Sequence, residues 1–125
     1  MRVLITGVCG LLGAHLAASL QKQHTVLGLD RHPWWGDLPL DLLEGDLSES
    51  GFLQKAIREF LPEVVVHCAA ATSVDACEKD SSMAFAANAD TTKLLAEALS
   101  TETALIYIST DAVFEQGPAF ASESE

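Results

Sequence analysis

The chain has 125 residues, enough for one domain with a buried core, and its 49% hydrophobic and 20% charged residues are typical of a globular protein. Its formal net charge of −11 disfavours nucleic acid and anionic membrane surfaces as partners, because both attract Lys and Arg. No stretch reaches the roughly 18 apolar residues of a membrane span, and the N-terminus carries no signal-peptide pattern.

The cysteines indicate the compartment. Cys9, Cys68 and Cys77 are odd in number and irregular in spacing, and no CxxC pair is present. This usage favours neither a disulfide framework nor a zinc site, so we expect a cytoplasmic protein without a metal. Cys9 and Cys68 are interpreted as small buried hydrophobes.

The first half of the chain alternates strands with helices. The predicted strands are Arg2–Thr6, Thr25–Asp30 and a short segment at 42–46. A helix is predicted over 11–23, because Leu12, Leu16 and Leu20 recur every four residues as on one helix face. The stretch RHPWWGDLPLD predicts a loop, since two prolines and a glycine interrupt it.

A second helix is predicted from Ser48 onwards, with Ser48 or Ser50 as its cap and Pro62 at its end. Its predicted apolar face consists of Phe52, Ala56, Ile57, Phe60 and Leu61.

The second half continues the alternation. EVVVHC, at 63–68, predicts a strand covered on both faces. A long helical region is predicted over 75–99, in one or two pieces, and a further strand over 104–109. The helical region's apolar stripe consists of Leu94, Leu95, Ala98 and Leu99. The last residues, EQGPAFASESE, predict a loop.

This alternation predicts an α/β fold: a doubly wound, Rossmann-type parallel sheet that stops after its fifth strand. Residues 1–125 are interpreted as one NAD(P)-binding domain, incomplete because no further element follows. Ligands of such sheets bind at the carboxyl ends of the strands.

The turn after the first strand, TGVCGLLG, carries glycines at 7, 10 and 13. Glycine lets the backbone approach a pyrophosphate closely, and the N-terminus of the following helix attracts its charge. The predicted pyrophosphate-binding residues are Gly7, Cys9, Gly10, Leu11, Leu12 and Gly13. Three glycines alone could mark an ordinary strand-to-helix turn, but the strand before them and Asp30 after them favour a dinucleotide.

Asp30 ends the second strand, near the spacing expected for an acid that accepts from a ribose hydroxyl. A carboxylate there favours NAD, whereas the neighbouring Arg31 would accept the 2′-phosphate of NADP or remain a solvated surface residue. The cofactor is therefore predicted as NAD or NADP. Trp34 and Trp35 either flank the adenine or, the favoured interpretation, cover the domain edge or face a partner.

Several segments together resemble the extended branch of the short-chain dehydrogenase/reductase superfamily, which acts largely on nucleotide sugars. They are TGxxGxxG, GDL at 45–47, VVVHCAAATSVDACEKD and NADTTKLLAEA. The resemblance implies that Asp46 and Leu47 hold the adenine and that the backbone of Ala69, Ala70 and Ala71 runs beside the cofactor. It also implies that Asn88 supports the site.

Within that branch, ISTDAVF at 108–114 resembles the STDYVF segment of the dTDP-4-dehydrorhamnose reductase family, and AAATSVDACEKD resembles its AAYTAVDKAE. The resemblance places the family's catalytic hydroxyl on Thr110, while Ala112 departs from the family's tyrosine. His67 is interpreted as a packed histidine rather than a catalyst, and Thr110 or Asn88 could instead satisfy local backbone groups.

The family's Tyr-x-x-x-Lys acid is absent, because Tyr107 is the only tyrosine and Asp111 stands four residues later. We therefore expect the cofactor half of a reductase that transfers hydride to the ketone of a nucleotide sugar, with homodimers formed by the full-length protein. The alternatives are a nucleotide-sugar epimerase or dehydratase, or a non-catalytic module like the regulatory subunit of methionine adenosyltransferase.

Overall fold

The computed structural model describes residues 1–49 and 51–110. Within them, five parallel strands form one sheet in the order β3-β2-β1-β4-β5. The strands are β1 (Arg2–Thr6), β2 (Thr25–Asp30), β3 (Asp41–Glu44), β4 (Val64–His67) and β5 (Ala104–Tyr107). This is the predicted Rossmann-type sheet, and the bounds of β1 and β2 agree with the prediction.

The helices lie on both faces of this sheet. They are α1 (Leu11–Leu20), α2 (Phe52–Phe60), α3 (Val74–Lys79), α4 (Ser81–Phe85) and α5 (Thr91–Ala98), with a π-helical turn (Ala86–Asp90) between α4 and α5. One core layer packs sheet residues such as Leu4 and Val65 against α2 and α5. The other layer packs Val3, Ile5 and Val66 against Ala17 of α1, so helices cover both faces of the sheet.

Helix α1 is shorter than predicted, and two of the three leucines of its predicted face pack against the core. Leu12 is 45% exposed, whereas the buried positions are the small residues Gly13, Ala14 and Ala17. Leu16 and Leu20 are partly buried at the edge of the core. Small residues face the sheet here because the helix starts directly behind the strand and must approach it closely.

The start of α2 also differs from the prediction. Ser48 binds Asp46 instead of capping the helix, and Ser50 lies outside the described residues. The N-cap is Gly51, which has φ of 85°, a conformation that glycine adopts without a Cβ clash. The buried face contains Leu53, Ala56 and Ile57, whereas Leu61 is 62% exposed after the helix end.

The predicted helical region at 75–99 is broken into α3, α4, the π turn and α5. Asp80 separates α3 from α4 and caps α4 by accepting a hydrogen bond from the Met83 N–H. Leu95 of the predicted stripe is buried, whereas Leu94 is 36% exposed. Asp111, Ala112, Phe114 and the predicted terminal loop lie outside the described residues.

Candidate functional site

A cavity of about 400 Å³ lies at the carboxyl ends of the strands. It lies between the turn after β1, the segments that follow β2, β3 and β4, and the helical segment around the π turn. Its described lining residues are Gly7, Cys9, Gly10, Leu29, Asp30, Arg31, His32, Gly45, Asp46, Leu47, Cys68, Ala69, Ala70, Ala71, Met83, Ala87 and Thr91. A parallel sheet of this topology binds its ligands at this edge.

Ten of the predicted site residues line this cavity: Gly7, Cys9, Gly10, Asp30, Arg31, Asp46, Leu47, Ala69, Ala70 and Ala71. Five others are not among its lining residues: Leu11, Leu12, Gly13, Asn88 and Thr110. Leu11 is 78% exposed, and Thr110 is exposed just beyond β5. Gly13 is buried where α1 packs on the glycine turn, and Asn88 forms hydrogen bonds with Ala71, which lines the cavity.

The glycine turn is shaped by close contacts. Gly7 has φ of 66°, and a Cβ on it would lie 2.7 Å from the Ala69 Cα. A Cβ on Gly13 would lie 2.8 Å from the Val8 Cα, so this glycine lets α1 pack on the turn. Gly10 is the N-cap of α1, and among the described residues a Cβ on it would meet only the Gly7 carbonyl oxygen, at 3.2 Å. Gly10 therefore leaves open the space in front of the helix N-terminus, where N–H groups lack intrahelical partners.

Residues Asp30, Arg31 and His32 form one side of the cavity, called here the β2 wall. The Asp30 carboxylate accepts from the Cys9 N–H at 2.9 Å and the His32 N–H at 3.0 Å, and its Oδ1 lies 3.1 Å from His32 Nδ1. Three of its roughly four acceptor positions are thus engaged within the chain. The sequence predicted Asp30 as a ribose acceptor; the structure adds that it ties the glycine turn to the β2 wall.

Cys9 carries the rest of this connection. Its thiol donates to the carbonyl oxygens of His32, at 3.2 Å, and Pro33, at 3.4 Å, and its own carbonyl accepts from Trp35 Nε1 at 2.7 Å. Burial first, and then the charge of Asp30, raises the pKa of the Cys9 thiol to about 11. The thiol therefore stays protonated and acts as a donor.

The two tryptophans belong to the loop after β2 and do not line the described cavity. Their rings stack with centroids 5.9 Å apart, and neither is among the described lining residues. Trp34 packs against the core on the α1 face, and Trp35 is 62% exposed. This arrangement favours the interpretation that they cover the domain edge.

Asp46 lies beyond β3 in a tight turn. Its Oδ1 accepts from the Ser48 N–H at 2.8 Å and the Ser48 hydroxyl at 2.6 Å. These hydrogen bonds lower the pKa of the Asp46 carboxyl, and the charge of Arg31 lowers it further. The carboxylate is therefore ionised and fixed at the mouth of the cavity, next to Leu47.

Residues Ala69, Ala70 and Ala71 form the opposite side, called here the β4 wall. The Asn88 side chain accepts from the Ala71 N–H at 2.7 Å and donates to the Ala71 carbonyl oxygen at 3.1 Å. Asn88 belongs to the π turn, so this turn fixes one end of the wall. The structure thus brings Asn88 against the β4 wall, and its expected supporting role stays a prediction.

Several lining residues were missed by the sequence reasoning: Leu29, His32, Gly45, Cys68, Met83, Ala87 and Thr91. Ala87 and Thr91 are four residues apart, the spacing of one helix face, but nothing in that pattern indicates which face meets the cavity. His32 was not predicted either, although its N–H donates to the Asp30 carboxylate only two residues earlier, in a local turn that Asp commonly forms.

The described residues show no helix long and apolar enough for a membrane span. The same part of the chain holds no group of three His, Cys, Asp or Glu side chains arranged for a metal ion. The cavity offers backbone N–H groups, one guanidinium and two carboxylates, a set suited to a phosphate-containing ligand with hydroxyl groups.

Comparison with known proteins gives relatives of the expected kind. A dTDP-4-dehydrorhamnose reductase from Mycobacterium tuberculosis is 34% identical over 116 residues, which cover 91% of this chain and 34% of that protein. A methionine adenosyltransferase 2 subunit beta from Pongo abelii is 36% identical over 119 residues, with 91% and 34% covered. The chain thus spans about a third of the length of the curated relatives it matches.

Solved structures share the fold. A hypothetical dTDP-4-dehydrorhamnose reductase from Sulfolobus tokodaii superposes with a TM-score of 0.86 at 29% identity, covering 100% of this chain and 45% of that one. A UDP-glucose 4-epimerase from Thermus thermophilus, in complex with NAD, gives a TM-score of 0.70 at 32% identity, with 78% and 33% covered.

The family model described as RmlD substrate binding domain matches residues 1–123, nearly the whole chain. The resemblance read from the sequence motifs is thereby confirmed. Together with the superposed structures, this match shows that the chain belongs to the RmlD family of the extended short-chain dehydrogenases/reductases.

Proposed function

We propose that this chain is the dinucleotide-binding part of a reductase that transfers hydride from NADH or NADPH to the ketone of a nucleotide sugar. The observation that carries the proposal is the cavity at the strand ends, which gathers the glycine turn, Asp30, Asp46 and the β4 wall around one space. Dinucleotides bind at this position in Rossmann-type sheets.

Each part of the cavity has a proposed partner on the cofactor. The pyrophosphate lies at Gly7, Gly10 and the N-terminus of α1, whose dipole favours an anion. The adenosine lies between the β2 wall and Asp46, where Asp30 offers its remaining acceptor position and Arg31 a cation. The nicotinamide end runs along the β4 wall, towards the strand end that carries Thr110.

Thr110 is proposed to hold the substrate carbonyl by donating its hydroxyl hydrogen bond. A threonine hydroxyl does not give up its proton readily at neutral pH, and the sequence contains no Tyr-x-x-x-Lys pair. General acid catalysis typically contributes 10²–10⁴-fold, so we expect this chain to bind cofactor without turning over dTDP-4-dehydrorhamnose. Robust oxidation of NADPH by the 125-residue chain with that substrate would overturn this assignment of roles.

Binding is tested with Gly10→Val. Among the described residues, a Cβ at Gly10 has one close neighbour, the Gly7 carbonyl oxygen at 3.2 Å, so the variant should fold while its side chain fills the pyrophosphate position. We expect the Kd for NADH and NADPH, measured by calorimetry, to rise about a hundredfold. Ser19→Val puts the same side chain on the exposed face of α1 and should leave the Kd unchanged. Equal affinity of folded Gly10→Val and the parent chain would contradict the proposal.

The cellular setting and the assembly are part of the same proposal. Cys9, Cys68 and Cys77 are free thiols, which agrees with a reducing, cytoplasmic location. The nucleotide-sugar partner and the homodimer of the full-length protein stay predictions.

A further inference from the structure

His67, the last residue of β4, is a buried polar group that the proposed function has not used. It is 1% exposed, yet both of its ring nitrogens have a partner. Nδ1 lies 2.6 Å from the Thr6 hydroxyl oxygen on β1, and Nε2 lies 3.1 Å from the Thr92 hydroxyl oxygen on α5. The imidazole thus joins the centre of the sheet to the helix that follows the π turn.

The neighbouring hydrogen bonds fix where the protons lie. The Thr92 hydroxyl donates its single proton to the Asn88 carbonyl oxygen at 2.7 Å, so its oxygen can only accept from His67. His67 Nε2 must therefore carry a hydrogen. In the neutral ring Nδ1 is then the acceptor, and the Thr6 hydroxyl donates a hydrogen bond to it. The Thr6 oxygen in turn accepts from the Ala69 N–H at 3.3 Å.

Both ends of this chain of hydrogen bonds reach the β4 wall. One end is the Ala69 N–H, and the other is Asn88, whose side chain holds the N–H and carbonyl of Ala71. Ala69 also lies against the glycine turn, where a Cβ on Gly7 would meet its Cα at 2.7 Å. The wall lies outside β4, so these contacts with side chains set its conformation.

The surroundings of His67 suit a neutral ring. The titratable side chain that packs on it is Tyr107 of β5, whose ring centroid is 5.9 Å away, and Cys68 follows it in the chain. Burial lowers the pKa of His67. An apolar residue of similar size would fill the space as well, so packing alone does not account for an imidazole with two hydroxyl partners.

We propose that Thr6, His67 and Thr92 are positioning residues that hold the β4 wall in the shape that binds the dinucleotide, and that this requires neutral His67 with its proton on Nε2. The inference rests on the proposed function, because it concerns the same cavity. It assigns no proton transfer to His67.

The test compares deletion of a hydroxyl with its retention. Thr6→Val keeps the shape of the side chain but removes the donor to His67 and the acceptor for Ala69, whereas Thr6→Ser keeps both. We expect the Kd for NADPH, measured by calorimetry on folded protein, to rise about tenfold in Thr6→Val and to stay within about twofold in Thr6→Ser. Thr92→Val and Thr92→Ser repeat the comparison at a partly buried helix position if Thr6→Val does not fold.

The second readout is the pair of ring-nitrogen chemical shifts of His67 in an NMR spectrum. These shifts report which nitrogen carries the proton, and a residue that only fills space would not require one particular tautomer. We expect a protonated Nε2 and an unprotonated Nδ1 in the parent chain. A proton on Nδ1, or folded Thr6→Val and Thr92→Val that bind as tightly as the parent, would overturn the inference while leaving the proposed function standing. A parent chain that binds neither NADH nor NADPH would overturn the proposed function, and this inference with it.

Discussion

The β2 wall and the β4 wall face each other across the cavity but are held by different chemistry. The β2 wall depends on the Asp30 carboxylate, which lies next to a histidine whose side chain is 67% exposed. The β4 wall depends on neutral groups, and His67, which supports this wall together with Thr6 and Thr92, is fully enclosed. Added salt acts more strongly on charged groups than on buried neutral hydrogen bonds.

This difference suggests a division of work. The β2 wall lies at the proposed adenosine, whose 2′-phosphate distinguishes NADPH from NADH, so the charges of this wall can select between the two cofactors. The neutral wall lies along the proposed nicotinamide, where geometry matters more than charge. The glycine turn touches both walls, through Cys9 on one side and Gly7 on the other.

The largest effect is expected for Gly7→Ala, which should disturb both walls at once. The new Cβ would combine a left-handed φ of 66° with a contact of 2.7 Å to the Ala69 Cα. We expect the free energy of unfolding to fall by about 3 kcal/mol or more, measured by urea denaturation.

Gly51→Ala is the control for Gly7→Ala, because Gly51 has φ of 85° and, beyond its chain neighbours, no atom of the described residues lies within 4 Å of the position its Cβ would take. Strain alone should cost about 1 kcal/mol there. Equal losses in the two variants would show that contact with the β4 wall adds nothing.

A smaller effect is expected for Asp30→Asn, which should loosen the β2 wall alone. An asparagine cannot accept with both side-chain atoms, so either the Cys9 N–H or the His32 N–H loses its partner. We expect a loss of about 1–2 kcal/mol in stability and a shift of affinity from NADH towards NADPH, because a repulsive charge is removed. Calorimetry with both cofactors measures the shift.

Asp37→Asn, on the exposed part of the same loop, is the control for Asp30→Asn and should change neither quantity. If Asp30→Asn left the ratio of the two affinities unchanged, Asp30 would not face the ribose.

The pH dependence of stability tests the β4 wall. Burial keeps the folded-state pKa of His67 below its usual 6.5, so the unfolded chain binds a proton that the folded chain does not. Stability should therefore fall as pH drops below about 6.5, with a slope of at most about 1.4 kcal/mol per pH unit from this residue.

The depressed pKa values of Asp46 and Asp80 act in a lower window, below their usual 3.8. Urea denaturation between about pH 6.5 and 5 therefore isolates the histidine contribution. His67→Gln should flatten the profile in that window. An unchanged slope in this variant would assign the effect to another group.

The smallest effect is expected at a site on neither wall. Lys93 and Glu97 form an exposed ion pair on α5 at 3.9 Å, one helical turn apart. Glu97→Gln should cost at most about 0.5 kcal/mol and leave both cofactor affinities unchanged. A larger loss would mean that the outer surface of α5 is coupled to the cavity, against the division described above.

How much the sequence predicted depended on the range of the interactions. The strands β1 and β2 were predictable because an uninterrupted apolar run ends at a glycine or an acid. The glycine turn and Asp30 were predictable because their roles follow from local conformation and spacing. Helix α1 shows the limit, since leucine periodicity does not reveal that Gly13, Ala14 and Ala17 are the residues that approach the sheet most closely.

The remaining errors concern contacts that only the folded chain creates. His32 is an exception, because its N–H binds the Asp30 carboxylate only two residues earlier, in a local turn that Asp commonly forms. His67 was correctly interpreted as packed, but its partners Thr6 and Thr92 are 61 and 25 residues away along the chain. Thr110 is described as exposed beyond β5, and its catalytic role stays a prediction.

The π turn at Ala86–Asp90 determines where this helical region can lose a residue. A π turn accommodates one residue more than an α-helical turn, and the helix on either side keeps its phase. Loss of a residue within this turn would close it into an ordinary α-helix. Loss of a residue within α5 would rotate the rest of that helix by about 100° and turn the buried Leu95 away from the core. A one-residue deletion in this helical region should therefore be tolerated at the π turn and not within α5.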